Sequence, residues 1–156
     1  MPITIGDTAP DFTLFDSDKQ PVSLKDQQGK TALLLFFPQA FTSVCTAELC
    51  GVRDDISRYS NAKAAVFGIS VDSVFTLAKF KEEQQYNFPL LSDFNKEVST
   101  AYGSVYEDWI LGMKGVSKRS AFVIDGQGII QYAEVLENAG ENVNFEAINA
   151  VLGKTS

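Results

Sequence analysis

The sequence predicts an α/β fold, a three-layer sandwich whose mixed central sheet carries an N-terminal β-hairpin extension. Three observations predict it. Residues 31–37 and 64–70 are continuous apolar runs of the kind found in strands buried on both faces. Helical periodicity follows each of them, and near the C-terminus a Gly126-Gln127-Gly128 turn separates two further apolar runs, as in an antiparallel hairpin. At 156 residues, with 45% hydrophobic and 21% charged residues, the chain is long enough for one domain over residues 1–156 with its own core.

In chain order, Asp11-Phe12-Thr13-Leu14-Phe15 and Pro21-Val22-Ser23-Leu24 alternate about a polar turn at residues 16–20, which predicts a hairpin at the edge of the fold. The run Thr31-Ala32-Leu33-Leu34-Leu35-Phe36-Phe37 predicts a central strand that stops at Pro38, a residue without an N–H to donate. From Cys45 onward, Leu49, Val52, Ile56 and Tyr59 recur at spacings of four, three, four and three. They form one helical stripe that starts at the cysteine and turns it inward. Residues 64–70 predict a second buried strand, Val74, Leu77 and Ala78 a helix, and Phe88-Pro89-Leu90-Leu91 a third strand. A polar helical stretch over residues 95–102 precedes the hairpin of 120–125 and 129–134, and Phe145, Ile148, Val151 and Leu152 give a closing helix. Parallel units first and an antiparallel hairpin plus helix last describe a thioredoxin-like sandwich, although the same order also suits other mixed-sheet folds.

Composition narrows the chemistry. The chain has no histidine and two cysteines, which excludes Cys-His and Ser-His-Asp hydrolases, histidine-ligated metals and a four-cysteine zinc site. A net charge of -7, mixed along the chain, argues against nucleic acid or an anionic membrane as partner and suits small neutral substrates. The N-terminus lacks a signal-peptide pattern and no apolar run approaches ~20 residues, so the expected location is cytoplasmic. In a reducing compartment a cysteine pair is more often redox-active than a structural staple. Cys-x-x-Cys disulfide reductase chemistry is a competing class, but here four residues separate Cys45 and Cys50.

Between the central strand and the helix start lies Phe36-Phe37-Pro38-Gln39-Ala40-Phe41-Thr42-Ser43-Val44-Cys45-Thr46, with Pro38, Thr42 and Cys45 spaced by four and three. This resembles the active-site signature of the peroxiredoxins, and Ala9-Pro10-Asp11-Phe12, Phe88-Pro89-Leu90-Leu91-Ser92-Asp93 and Arg119 follow in the family order. The resemblance runs over nearly the whole chain and implies a thiol peroxidase in which Cys45 attacks the peroxide and Pro38 shields the sulfur from bulk water. Physical chemistry points to the same cysteine, because the first turn of a helix offers free N–H donors and the positive end of the backbone dipole. Such thiols ionise readily. Lowering a thiol from a pKa of ~8.5 to ~6 raises its thiolate fraction at pH 7 roughly 30-fold, yet a Brønsted coefficient of ~0.4–0.5 removes about 10-fold of that in nucleophilicity. Most of the catalysis must therefore come from groups that bind the stretching O–O bond. Thr42 can accept a hydrogen bond from the hydroperoxide, Arg119 brings a fixed charge and a fork of donors, and the N–H groups of Val44 and Cys45 can complete the cradle. Taken singly, Thr42 reads as a helix cap, Arg119 as a solvated charge and Pro38 as a strand terminator. Their joint spacing outweighs those readings. Glu48 can tie down Arg53 or Arg119, or simply favour the helix N-terminus, and the last is the default.

A sulfenic acid on Cys45 has to be reduced before the next turnover. Cys50 is the expected resolving thiol, with a small half-buried apolar role as its alternative. Five residues apart in an intact helix, two Cα atoms lie ~8.7 Å from each other, beyond the ~7 Å reach of a disulfide, so pairing requires local unwinding. Cys50 resembles the resolving position of the bacterioferritin-comigratory-protein or Q-type subgroup, whereas residues 36–42 and Leu90-Leu91-Ser92-Asp93-Phe94 look closer to the one-cysteine alkyl hydroperoxide reductase E subgroup. The alternatives are thus resolution by an external thiol, or a peroxide-sensing redox switch. A thioredoxin-like or other thiol reductant is implied, with no organic cofactor, since no Gly-x-Gly-x-x-Gly fingerprint is present. The resemblance also implies a homodimer patch near Phe41, Tyr106 and Trp109, residues that core packing explains equally well.

Overall fold

The computed structural model describes residues 3–155, so the expectation drawn at Met1 and Pro2 lies outside it. Its strands are β1 (Thr13–Asp16), β2 (Pro21–Ser23), β3 (Thr31–Phe36), β4 (Ala64–Ser70), β5 (Leu90–Ser92), β6 (Val105–Tyr106), β7 (Val116–Ser117), β8 (Ser120–Ile124) and β9 (Ile130–Val135). The helices are α1 (Ser43–Asp54), α2 (Ile56–Asn61), α3 (Val74–Gln84), α4 (Glu97–Ala101) and α5 (Phe145–Thr155). Seven strands form one mixed sheet in the order β2-β1-β5-β4-β3-β8-β9, with the N-terminal hairpin at one edge and the C-terminal hairpin at the other. β3 runs parallel to β4 and antiparallel to β8, while β4 runs parallel to β5.

The uninterrupted apolar run of β3 has a direct structural cause, since all six of its residues are buried and alternate side chains feed different cores. Leu33 and Leu35, with Phe37 just beyond, pack with Leu49, Val52 and Tyr59 of α1 and α2, Leu77 and Phe80 of α3, and Ile148 and Leu152 of α5. Ala32, Leu34 and Phe36 face Val98 of α4, Tyr102 and the leading segment at Ala9 and Phe12. The thioredoxin-like expectation is met, with four local differences. The stripe from Cys45 to Tyr59 is two helices, because the backbone leaves helical geometry at Asp55 (φ -121°, ψ 27°). Adjacent carboxylates at Asp54 and Asp55 oppose the negative end of α1 and suit the positive end of α2. The helix also begins at Ser43, two residues before the cysteine, which puts Cys45 within its first turn. β5 starts at Leu90 rather than Phe88, with the Pro89 carbonyl accepting from Gly68 N–H at 3.0 Å on the approach. The hairpin β6–β7 was not expected, and its two-residue strands are too short for any periodicity to reveal. Among the described residues, no helix is long and apolar enough to cross a membrane.

Candidate active site

Where β3 ends, Phe37 N–H still donates to Ile69 O of β4 at 2.9 Å, and the buried Pro38 then turns the chain out of the sheet. The loop that follows is caught from the neighbouring strand. Ala40 N–H donates to Asp72 Oδ2 at 2.8 Å, and Ser70 Oγ donates to the same oxygen at 2.6 Å. Burial raises the Asp72 carboxyl above its ordinary range, with the Ser70 and Ala40 donors pulling it back. Phe41 then adopts a left-handed backbone (φ 67°), its half-exposed ring 5.0 Å from that of Phe80.

This turn delivers Thr42 in extended geometry (φ -92°, ψ 151°) as the residue before α1. Its carbonyl accepts the first intrahelical bond, from Thr46 N–H at 2.9 Å, but its side chain makes no capping bond. Instead Thr42 Oγ1 donates to Gln39 O at 2.8 Å, which commits the hydroxyl proton and leaves the oxygen as an acceptor. The N–H groups of Val44 and Cys45 belong to the first turn, ahead of that first intrahelical bond.

Cys45 is 1% exposed, and Arg119, from the junction of β7 and β8, reaches it. Arg119 Nη2 donates to Cys45 Sγ at 2.9 Å, Nη1 to Glu48 Oε2 at 3.1 Å and Nε to Ala139 O at 2.9 Å. The guanidinium is thus fixed on three sides, and one buried cation serves both the sulfur and the carboxylate. Of the partners open to Glu48, Arg119 is the one it meets, while Arg53 turns to Asp54 at 2.9 Å. Burial pushes Glu48 up to about 7, against the pull of Arg119 and with added repulsion from Glu134.

A pH dependence follows from that carboxyl. Between its ordinary value of 4.5 and about 7, Glu48 binds more protons in the folded chain than in the unfolded one. Its contribution to stability is full below 4.5 and is lost as pH rises through about 7, on the order of 3 kcal/mol in all. Urea midpoints at pH 5 and pH 8 should fall more in the wild type than in Glu48→Gln, which retains the acceptor for Arg119. Equal pH slopes in the two proteins would show that Glu48 titrates normally.

Cys50 lies on the same helix and both cysteines are free thiols. Its half-buried Sγ stands 3.5 Å from Gln84 Oε1 and 3.7 Å from the Tyr86 hydroxyl, which itself donates to Thr46 O at 3.3 Å. The arrangement therefore brings Cys45, Arg119 and Glu48 into one hydrogen-bonded row, places Pro38 and Thr42 on the loop leading into it, and seats Cys50 apart from it. The proposed aromatic patch needs correction at Tyr106, which is buried with its hydroxyl on Leu136 O at 2.7 Å, leaving Phe41 and the half-buried Trp109. Sequence reasoning missed Asp72 and the Ala139 carbonyl. Only the position of Ser70-Val71-Asp72 at the carboxyl end of a buried parallel strand, where open α/β sheets place their sites, hinted at the first.

The sequence profile of the AhpC/TSA family matches residues 5–133. Alkyl hydroperoxide reductase E of Mycobacterium tuberculosis is 41% identical over 136 residues, covering 85% of this chain and 86% of the relative. Peroxiredoxin Bcp of Escherichia coli is 38% identical over 133 residues, covering 84% and 85%. Among solved structures, peroxidoxin BcpB from Mycobacterium tuberculosis superposes with a TM-score of 0.87 at 31% identity over 99% of both chains.

Proposed function

The chain belongs to the AhpC/TSA family of peroxiredoxins, which are thiol-dependent peroxidases, and from that premise we propose that it reduces hydrogen peroxide and organic hydroperoxides through a Cys45 sulfenic acid resolved by Cys50. The observation that carries this reading is the Arg119 Nη2 donor 2.9 Å from Cys45 Sγ, a permanent cation at a buried sulfur. The thiolate attacks the terminal, hydrogen-bearing oxygen of the peroxide, the S–O bond forms as the O–O bond breaks, and sulfur gives up two electrons. The departing oxygen takes a proton from solvent, so Cys45–S⁻, ROOH and H⁺ become Cys45–SOH and ROH. Thr42 Oγ1, its proton held by Gln39 O, accepts from the peroxide O–H and orients it, while Arg119 and the first-turn N–H groups meet the developing negative charge. The buried Pro38 closes the site beside them.

In the second half of the cycle the Cys50 thiolate attacks the sulfenic sulfur, the S–S bond forms as the S–O bond breaks, and the departing hydroxide takes a proton from solvent and leaves as water. A thioredoxin-like or other thiol donor then supplies the two electrons that restore both thiols. Pairing requires α1 to unwind, since a wound helix holds Cα atoms five residues apart at ~8.7 Å. The seating of Cys50 against Gln84 and Tyr86 favours a second reading, in which α1 stays wound and an external thiol resolves Cys45 directly. A reducing cytoplasm suits either route. Phe41, half exposed beside the site, is the proposed edge of a homodimer contact.

Stoichiometric peroxide followed by alkylation and mass spectrometry separates the two routes. The two-cysteine route yields an intramolecular Cys45–Cys50 bond in the wild type, and Cys50→Ser instead accumulates sulfenic acid and over-oxidises. No such bond in the wild type, with turnover unchanged in Cys50→Ser, selects the external thiol. Slow stoichiometric oxidation without turnover would point to a peroxide sensor instead.

A further inference from the structure

Glu48 faces two ways. Its Oε2 accepts from Arg119, but its Oε1 is buried with no donor in the protein. Among the described residues one other buried side-chain polar atom shares that condition, Asn149 Oδ1 of α5. Both residues line one cavity of about 280 Å³ walled by α1, α2 and α5. Its inner lining includes the buried Val52 and Tyr59, and its rim the exposed Ala47, Gly51 and Asn142. Pro38, Thr42, Cys45 and Arg119 take no part in it, so it is separate from the groups that meet the peroxide. Buried acceptors are almost always satisfied, and a polar cavity of this size takes several waters at roughly 30 Å³ each.

We propose that this cavity is a built hydration site, a rear port through which Glu48, and with it the Cys45–Arg119–Glu48 row, exchanges protons with solvent. Water donating to Glu48 Oε1 and Asn149 Oδ1 satisfies the two orphaned acceptors at once and links them to the exposed rim. The charged and titratable groups facing Glu48 are Arg119 just before β8, Glu134 of β9, Cys45 on its own helix, and Tyr59 of α2 with Asp55 at the cavity wall. None of them supplies a donor to Oε1. The proposal rests on the reading of Arg119 as the cation that serves Cys45. When Glu48 is ionised, that cation is divided between carboxylate and sulfur; when Glu48 is protonated, it is left to sulfur and peroxide. Hydration favours the ionised form, so the port sets the pH at which Arg119 is shared.

Two variants test this from different sides. Asn149→Leu replaces one orphaned acceptor with an apolar group. Gly51→Leu plugs the rim sterically, at a helical glycine where an added Cβ meets nothing within 4 Å and leucine is the better helix former. The Glu48 carboxyl is followed by NMR in the reduced full chain labelled with ¹³C-glutamate, without peroxide, with Glu48→Gln identifying the resonance. The midpoint is expected to rise by about one pH unit or more in both variants, a tenfold change in the ionisation constant, as water that solvates the carboxylate is lost. Midpoints that stay within about 0.3 unit of the wild type in both, well below that expectation, overturn the proposal. So does a high-resolution crystal structure in which the Asn149 amide is turned to donate directly to Glu48 with no water between them. Because resting protein is titrated, a shifted midpoint in a chain that lacks peroxidase activity would refute the peroxidase reading and leave the port standing.

Discussion

Cys45→Ser is expected to lower hydroperoxide reduction by on the order of 10⁴-fold or more, to the uncatalysed background, with the fold intact. Sulfur is needed for what it can lose. It gives up two electrons to the O–O bond and accepts an oxygen, whereas a serine oxygen making the same attack would form another peroxide and reduce nothing. A serine hydroxyl also stays protonated at neutral pH. The substitution is small, and the new Oγ can still accept from Arg119 Nη2, so the buried guanidinium keeps a partner on that side. Peroxide consumption measured in a stopped-flow instrument with excess thiol donor gives the answer directly. Retention of a tenth of the wild-type rate would place the attacking sulfur elsewhere, and the Cys50→Ser protein would then show whether it is Cys50.

Arg119→Met should slow Cys45 oxidation by about 10²–10³-fold, the cost typical of removing a preorganised donor from developing negative charge. Arg119→Lys should fall between Met and wild type, because an ammonium restores the charge but not the fork that holds Sγ, Glu48 and Ala139 O together. Iodoacetamide alkylation of Cys45 separates two contributions of the arginine. If Arg119 acts chiefly on the transition state of O–O cleavage, alkylation slows only a few-fold, the scale that thiol acidity alone can reach. Equal losses in both reactions would show that the arginine merely prepares the sulfur. The Met variant should also be destabilised more at pH 8 than at pH 6, since the Glu48 carboxyl it strands is protonated at the lower pH.

How far such a site is legible from sequence depends on the range of the contacts that build it. β3 was legible because burial on both faces leaves an unbroken apolar run, and the two hairpins because polar turns punctuate alternating segments. Pro38, Thr42 and Cys45 lie within eight consecutive residues, so their spacing is itself a pattern. The partner of Glu48 was not legible, since three cations or dipoles lay within plausible reach and the choice was made by a residue 71 positions away. The hold of Asp72 on Ala40 spans 32 positions and uses a backbone N–H, which no side-chain pattern announces. Asp55 breaks the helical stripe for a local electrostatic reason that hydrophobic periodicity does not register.

The left-handed backbone of Phe41 gives the site a mechanical character. A side chain with a Cβ resists that conformation by roughly 1–2 kcal/mol, and here it is maintained by the Asp72–Ala40 bond on one side and the Phe80 ring on the other. The closed loop is therefore a loaded spring, with Asp72 as its catch. On the proposed two-cysteine route, letting go of that catch relaxes the backbone of Phe41 and so offsets part of the cost of unwinding the first turn of α1, at the end of the helix that carries Cys45.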